Sequence, residues 1–189
     1  MKIITFTGAG ISQSAGIPTF DEMPRLREIL TAEYRHKNPK DYNQEIKKMK
    51  KLVEDKEPTT AHHLLAANNI EVITMNIDKL HTKAGSEVIE VHGHLPTDEE
   101  LEVCEPCEMY NRPLLYGEVS LEYAAALNKI NELEKDDYLL VIGASDYSGI
   151  ATDVRELAYF IGVNVVEINK NADGELSEFL KEKGMIYKV

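Results

Sequence analysis

Polar residues suited to acid–base chemistry or to binding a polar ligand come after several short apolar runs. They are Asn76, Asp78, His92, Ser145 and Asn169. Together they offer hydrogen-bond partners for hydroxyls and an amide, and one imidazole whose ordinary pKa suits a general base. Taken singly, Asp78 would be a helix cap, Asn169 a turn residue and His92 a hydrogen-bonded core histidine. Their recurrence after successive runs favours a shared site.

A glycine-rich turn follows the first apolar run, residues 3–6, and has the sequence TGAGIS at 7–12. Backbone N–H groups in such a turn, at the start of a helix, can hold a pyrophosphate. The third glycine of a G-x-G-x-x-G motif is absent because position 13 is Gln13. The alternative is a turn that only joins a strand to a helix.

Short apolar strands alternate with amphipathic helices along the chain. The predicted strands are 3–6, 72–75, 88–91, 138–142, 163–168 and 185–188. The predicted helices are 21–35, 41–55, one from 59, 78–84, 151–160 and 175–183, with a break at Asn38-Pro39. This order predicts an α/β fold with a doubly wound, Rossmann-like parallel sheet. In such a fold the residues that follow the strands meet at one sheet edge, where ligands bind.

Length and charge limit the possible roles. The 189 residues favour a single domain over 1–189, and 33 acidic against 21 basic residues give a net charge of −12, which argues against nucleic acid as a partner. No apolar run is long enough to span a membrane, and the apolar stretch at the start of the sequence is too short for a signal peptide. We therefore expect a cytoplasmic protein. Residues 94–110 carry six acids and no Lys or Arg, which indicates either a solvated loop or a surface that attracts a basic partner.

Seven sequence blocks, in this order, resemble the sirtuins, the NAD-dependent protein-lysine deacylases. The blocks are TGAGISQSAGIPTF at 7–20, PTTAHHLL at 58–65, MNIDKLHTKAGS at 75–86, His92-Gly93, RPLLYGE at 112–118, VIGASDYSGIA at 141–151 and EINKN at 167–171. The resemblance implies cleavage of the nicotinamide–ribose bond of NAD and transfer of the acyl group from lysine to ADP-ribose. The alternatives are a non-catalytic module that binds NAD or ADP-ribose, and an NAD glycohydrolase or ADP-ribosyltransferase.

The resemblance also implies residue roles. His92 would be the catalytic base, with Asn76 and Asp78 at the nicotinamide ribose and carboxamide. The residues implied in cofactor binding are Gly8, Ala9, Gly10, Ser12, Ile17, Phe20, Asn76, Ile77, Asp78, Gly143, Ser145 and Asn169. The residues implied in binding the acylated lysine substrate are Tyr116, Gly117 and Glu118.

The sequence departs from the sirtuin pattern at the cofactor site. Asp21 stands where the family has an arginine after Phe20, and Met75 replaces a glutamine. A carboxylate at position 21 would repel a pyrophosphate, and Arg25 or Arg27 is the candidate replacement for the missing cation.

A second departure concerns zinc, which sirtuins usually bind through four cysteines. Here Cys104 and Cys107 are the only two cysteines, so residues 94–111 resemble a remnant of the zinc lobe. Residues 21–58, with their two predicted helices, are expected to form a helical insertion in the sheet domain. The two thiolates either recruit His94 and one further ligand or lie in a metal-free loop. We expect the metal-free loop.

Overall fold

The computed structural model describes residues 1–19, 22–103, 112–146 and 148–185. Its centre is a five-stranded sheet in which every neighbouring pair is parallel, in the order β3-β2-β1-β4-β5. The strands are β1 (Ile3–Thr7), β2 (Glu71–Thr74), β3 (Val88–Glu90), β4 (Tyr138–Ile142) and β5 (Asn164–Ile168). The strand order reverses between β1 and β4, and such a switch point is where doubly wound sheets form a ligand crevice.

Nine α-helices and one 3-10 helix, Ala9–Ala15, occur among the described residues. The α-helices are α1 (Pro24–Ile29), α2 (Ala32–Lys37), α3 (Pro39–Val53), α4 (Thr60–Ala67), α5 (Leu80–Ala84), α6 (Asp98–Val103), α7 (Tyr123–Ile130), α8 (Gly149–Ile161) and α9 (Ala172–Glu182). None of the helices in the described part of the chain is long and apolar enough to cross a membrane.

Two apolar cores cover the sheet. One joins residues of β1 and β4 such as Phe6 and Val141 to α7 and α8, and the other joins β4 residues such as Ile142 to α4 and α9. The continuous apolar strands fit this arrangement, because β1 and β4 are buried along nearly their whole length. The predicted doubly wound α/β fold is therefore confirmed.

A third, smaller core belongs to the helical insertion. It is formed by residues of α1 and α3, among them Ile29, Tyr42 and Ile46, together with Leu101 of α6 and Leu115. Helix α6 thus packs on the insertion. Asp98, at the start of α6, lies 2.7 Å from the ammonium of Lys50 on α3, so one acid of the acidic stretch is paired with a lysine of the insertion.

Most predicted elements are present with shifts of one to three residues, and the break at Asn38-Pro39 is confirmed. The predicted single helix 21–35 is wrong, because the chain forms α1 and α2 with a break at Leu30-Thr31. There Tyr116 N–H donates to the Leu30 carbonyl at 2.8 Å. This long-range backbone bond uses a carbonyl that a continuous helix would occupy. The predicted strand 185–188 lies almost entirely outside the described residues.

Candidate active site

A cleft of 1310 Å³ lies at the carboxyl edge of the sheet. Its predicted lining residues are Ala9, Gly10, Asn76, Ile77, His92, Tyr116, Gly117, Glu118, Gly143, Ser145 and Asn169. Residues after all five strands contribute, because parallel strands end at the same edge. The remaining described candidates, Gly8, Ser12, Ile17 and Asp78, do not line the cleft.

Two glycine loops form the floor of the cleft at the switch point. A Cβ on Gly10 would lie 2.6 Å from the Cα of Gly143, and a Cβ on Gly8 would lie 2.6 Å from the Gly143 carbonyl oxygen. Gly10 N–H donates to that same oxygen at 3.0 Å. The glycines are therefore required because the loops after β1 and β4 pack closely on each other. This contact leaves their backbones lining an open groove.

The side chain of Asn76 is held by a buried hydrogen-bond chain. Its Nδ2 donates to Ser12 Oγ at 3.2 Å, and Ser12 Oγ donates to Asp78 Oδ2 at 2.7 Å. The other oxygen of Asp78 accepts the N–H of Leu80 at 3.0 Å. Burial raises the pKa of Asp78, although the bonds from Leu80 and Ser12 act in the opposite direction. Asp78 thus acts on the cleft through Ser12 and Asn76.

His92 lines the cleft and is half-buried. Burial lowers its pKa below the usual 6.5, and a hydrogen bond to the backbone of Met75 opposes that shift. Because Met75 N–H already donates to Thr7, the ring bonds the Met75 carbonyl through one N–H. At neutral pH the second ring nitrogen therefore carries a lone pair and can accept a proton.

A buried network that sequence reasoning missed supports this half of the cleft. His81 Nε2 lies 2.9 Å from Thr7 Oγ1, which donates to Thr74 Oγ1 at 2.8 Å. Thr74 Oγ1 accepts the backbone N–H of Asn76 at 3.0 Å. The ring of His81 lies against that of His62, with centroids 4.4 Å apart. The PTTAHHLL and IDKLHT blocks contain both histidines, but only the fold shows that they meet.

The segment 112–118 forms the wall of the cleft opposite the sheet. Leu114 N–H donates to the His92 carbonyl at 2.8 Å, and Tyr116 pairs with Leu30 and Thr31 of the insertion. The carboxylate of Glu118 accepts two bonds from Arg112, at 2.6 and 2.8 Å.

Further contacts fix the end of this wall. Glu118 also accepts the N–H of Leu115 at 2.9 Å and lies 3.6 Å from Arg35 of α2. Its carboxylate therefore fixes the wall, and the exposed Tyr116 and Gly117 are the parts of the segment open to a ligand.

An ion pair that the sequence did not reveal lies at the other end of the cleft. Arg155 of α8 donates from Nε to Glu167 at 2.7 Å and from Nη2 to the Ala144 carbonyl at 2.9 Å. Its Nη1 lies 3.2 Å from Asp146. Arg155 therefore ties the loop after β4 to β5. Because Arg155 lies inside a helix and away from any strand end, the sequence pattern did not indicate it as a site residue.

Of the two arginines considered as replacements for the missing family cation, only Arg27 lines the cleft. Arg25 instead pairs with Asp41 at 3.3 Å. Phe20 and Asp21, which bear on the same question, lie outside the described residues.

The two cysteines of the zinc prediction, Cys104 and Cys107, also lie outside the described residues. Among the residues that the structure describes, no group of three or more His, Cys, Asp or Glu side chains is arranged to hold a metal. His94 is half-buried and places Nδ1 3.1 Å from Glu90.

The shape and donor set of the cleft fit a dinucleotide. Its volume exceeds the roughly 300–1,000 Å³ of ordinary small-ligand pockets, so there is room for an extended ligand and part of a second one. The glycine floor presents backbone rather than side chains. Amide, hydroxyl and imidazole groups lie on either side of it, at Asn76, His92, Ser145 and Asn169.

Comparison with known proteins now assigns the family. The model of the Sir2 family matches residues 8–109. The chain belongs to the Sir2 family. The sirtuin resemblance in the sequence is therefore confirmed.

Several Sir2 relatives match over most of the chain. An NAD-dependent protein deacetylase of Staphylococcus aureus (strain N315) is 30% identical over 205 residues, covering 90% of this chain and 83% of the relative. An NAD-dependent protein deacylase of Aquifex aeolicus (strain VF5) is 31% identical over 201 residues, covering 89% and 83%.

Solved Sir2 structures share the fold. A Sir2 homologue in complex with NAD has a TM-score of 0.82 and 21% identity, with 98% of this chain and 91% of that chain covered. Sir2Tm bound to a propionylated peptide has a TM-score of 0.80 and 23% identity, with 98% and 94% covered. The sheet and its flanking helices are therefore those of the Sir2 fold.

Proposed function

We propose that this protein is an NAD-dependent protein-lysine deacylase that transfers the acyl group to ADP-ribose. The observation that carries the proposal is the position of His92 in the same cleft as the buried amide of Asn76 and the glycine floor. The names of the relatives, which are NAD-dependent deacetylases and deacylases, support the same reaction.

The chain's own residues would divide the work along the cleft. When bound, NAD supplies a nicotinamide–ribose bond whose cleavage opens the ribose carbon to attack by an acyl oxygen. Asn76, fixed by Ser12 and Asp78, would orient a carboxamide or hydroxyl. The free ring nitrogen of His92 would take a proton from a ribose hydroxyl. Ser145 and Asn169 would bind the second nucleoside.

The acylated lysine would enter along the wall at Tyr116 and Gly117. This assignment is supported by the backbone bond between Leu114 and His92, which places the wall next to the proposed base. Glu118 would hold the wall in place through Arg112. Basic peptides remain our proposed substrates because residues 98–108 carry six acids and no Lys or Arg. Their KM should rise with salt, and a KM independent of salt would contradict this preference.

The test is incubation with NAD and a panel of acyl-lysine peptides, scored for nicotinamide release and deacylated peptide. His92→Ala should reduce turnover by at least about 100-fold, the usual contribution of a general base. His63→Ala is the matched control, since His63 is exposed on α4. Nicotinamide release without deacylation would indicate an NAD glycohydrolase, and NAD binding without turnover a non-catalytic module.

The lowered pKa of His92 predicts the acid limb of the activity profile. Because the base must be neutral, kcat/KM should fall as pH drops through the His92 pKa, which lies below 6.5. Activity should therefore be retained at pH 7. An acid limb centred above pH 7 would contradict His92 as the base.

The cytoplasmic location and the single-domain boundary stay predictions.

A further inference from the structure

A lysine with a strained backbone conformation directly follows the buried chain of Asn76 and Asp78. Lys79 has φ 64° and ψ 9°, in the left-handed region that side chains rarely adopt. Among the described residues, Asn69 is the other non-glycine residue with a positive φ, and asparagine tolerates this conformation better. Strain of this kind persists where surrounding contacts hold it, so the contacts of the Lys79 side chain matter.

The ammonium of Lys79 contacts the end of β3. Its Nζ donates to Glu90 Oε2 at 2.6 Å, and the same oxygen lies 3.1 Å from Nδ1 of His94. The Glu90 side chain is 17% exposed, against 42% for Lys79. Gly93 N–H donates to the backbone carbonyl of Glu90 at 3.2 Å. Glu90 therefore joins the loop after β2 to the turn that follows β3.

The two segments joined in this way carry the side chains on which the proposed function rests. Asn76 lies three residues before Lys79, and His92 lies two residues after Glu90. The His92 ring bonds the Met75 backbone, so the two segments also meet at the sheet edge. Neither Lys79 nor Glu90 lines the cleft. An effect of this pair on the reaction must therefore pass through the positions of Asn76 and His92.

The pair also limits the negative charge near Asp78. Burial raises the pKa of Asp78, and the charge of Glu90 acts in the same direction. The ammonium bound to Glu90 offsets the field of that carboxylate. Ionised Asp78 accepts the hydroxyl of Ser12, whose oxygen accepts the side-chain amide of Asn76. Lys79 thus supports the chain behind Asn76 through charge as well as through the position of its loop.

We propose that Lys79 and Glu90 are positioning residues whose ion pair fixes the ring of His92 relative to the amide of Asn76. The reaction concerned is that of the proposed function, whereas the ion pair belongs to the free protein. A glycine at position 79 would relieve the backbone strain but would have no ammonium to bind Glu90. Loss of the pair should let the two segments move apart, which slows the chemical step more than it weakens NAD binding.

Turnover of NAD and an acyl-lysine peptide by Lys79→Met and Glu90→Gln tests the pair. Each substitution should lower kcat by about fivefold, the equivalent of about 1 kcal/mol for a partly exposed ion pair. The Kd for NAD, measured by calorimetry, should change by less than about twofold. Lys79→Arg keeps the cation and should retain most of the activity. The double variant should lose no more than either single variant, because both substitutions remove the same contact.

Lys83→Met is the matched control for the loss of a lysine. Lys83 is also 42% exposed and pairs with Glu57 at 2.8 Å, in the segment between α3 and α4. Its removal takes away a similar ion pair that joins neither Asn76 nor His92 to the other. The kcat of Lys83→Met should therefore stay within about twofold of the wild-type value, and equal losses in Lys83→Met and Lys79→Met would overturn the proposal.

Lys79→Gly distinguishes positioning from a purely structural role. The substitution removes the left-handed strain together with the ammonium, so the urea midpoint should not fall below that of the wild-type protein. The kcat should nevertheless fall by the same factor as in Lys79→Met. A wild-type kcat in Lys79→Gly would overturn the proposal, and so would a kcat that falls only in step with the urea midpoint across the variants.

Amide hydrogen exchange in the free protein separates this inference from the proposed function. Lys79→Met and Glu90→Gln should speed exchange at the amides of Asn76 and Gly93, one in each joined segment, and Lys83→Met should do so at neither. If the wild-type protein turns over no NAD, the proposed function fails and the exchange rates alone decide whether the pair fixes the two segments. Unchanged exchange at both amides overturns the proposal whatever the turnover.

Discussion

The two halves of the cleft differ in how deeply their polar side chains are buried. After β2 and β3, Asn76 is 7% exposed and rests on Ser12, which is fully buried. After β4 and β5, Ser145 and Glu167 are exposed, and so are their neighbours Asp146 and Asn169. One half is a hydrogen-bonded network in the protein interior, and the other is a surface ion-pair cluster.

This difference separates positioning from recognition. A buried polar group that loses its partner cannot recover it from water, so each bond of the Ser12, Asn76 and Asp78 chain is costly to break. An exposed group that loses its partner is hydrated instead, and the cost is small. The buried half can hold reacting groups in one geometry, whereas the exposed half can change its ligand preference without loss of fold.

The largest effect is expected at the glycine floor, where the two halves meet. Gly10→Ala should destabilise the protein by about 3 kcal/mol, because the new Cβ would lie 2.6 Å from backbone that cannot rotate away. NAD binding should weaken as the loops separate. Urea unfolding and calorimetry measure the two effects.

Gly149→Ala is the control for that substitution, since a Cβ at Gly149 meets nothing within 4 Å. Its stability should change by less than about 1 kcal/mol. Equal stabilities of the two variants would show that the loops do not need their close contact.

The next effect comes from the histidines beneath the buried half. Burial lowers the pKa of His62 from 6.5 to about 4 and that of His81 in the same direction. The unfolded chain then binds more protons than the folded one between pH 6.5 and 4. The contribution of the two neutral histidines to the free energy of unfolding is therefore fully present above pH 6.5 and is lost as the pH falls towards 4. The His62 shift alone corresponds to a loss of about 2 kcal/mol between pH 7 and pH 5.

Urea unfolding at pH 7 and pH 5 measures this loss. His62→Gln should make the two values more similar, because it removes one titrating group from the interior. His36→Gln, at an exposed position of α2, should leave the difference unchanged. Stability that is equal at both pH values in the wild-type protein would contradict the buried, neutral state of the pair.

Asp78→Asn tests the positioning chain itself. The amide has one oxygen and cannot accept hydrogen bonds from both Ser12 and Leu80 on separate oxygens as the carboxylate does. The side chain of Asn76 should therefore be held less firmly in one orientation. We expect a loss of about tenfold in kcat/KM, the equivalent of one hydrogen bond to a charged group. Asp136→Asn, at an exposed position, should show no such loss. An unchanged kcat/KM in Asp78→Asn would show that the chain does not position Asn76.

Periodicity predicted the sheet well because its strands are short, continuous apolar runs bounded by glycine or polar residues. The same logic predicted that Asn76 and His92 would share a cleft, since both follow strands. It did not place Asp78 behind the cleft, because a residue two positions past Asn76 turns towards the interior and bonds Leu80 N–H. Only the path of the loop decides that.

Features that depend on contacts between distant segments were missed. The break between α1 and α2 is fixed by Tyr116, more than 80 residues further along the chain. Helix α7, Tyr123–Ile130, was not predicted, although its run of three alanines favours a helix. Arg155 joins Ala144 to Glu167 from a helix whose own pattern shows only amphipathicity.

The smallest effect is expected from Asp146, the more exposed of the two carboxylates that pair with Arg155. Its side chain is 84% exposed and contacts Arg155 once, at 3.2 Å, whereas Glu167 is 36% exposed and accepts two bonds. A surface pair of this kind contributes at most about 1 kcal/mol. Asp146→Asn should therefore change the affinity for NAD by less than about fivefold. Calorimetric titration of the wild-type protein and the variant with NAD, under the same salt conditions, measures the change. A larger change would mean that Asp146 contacts the ligand itself and does not act only through its pair with Arg155.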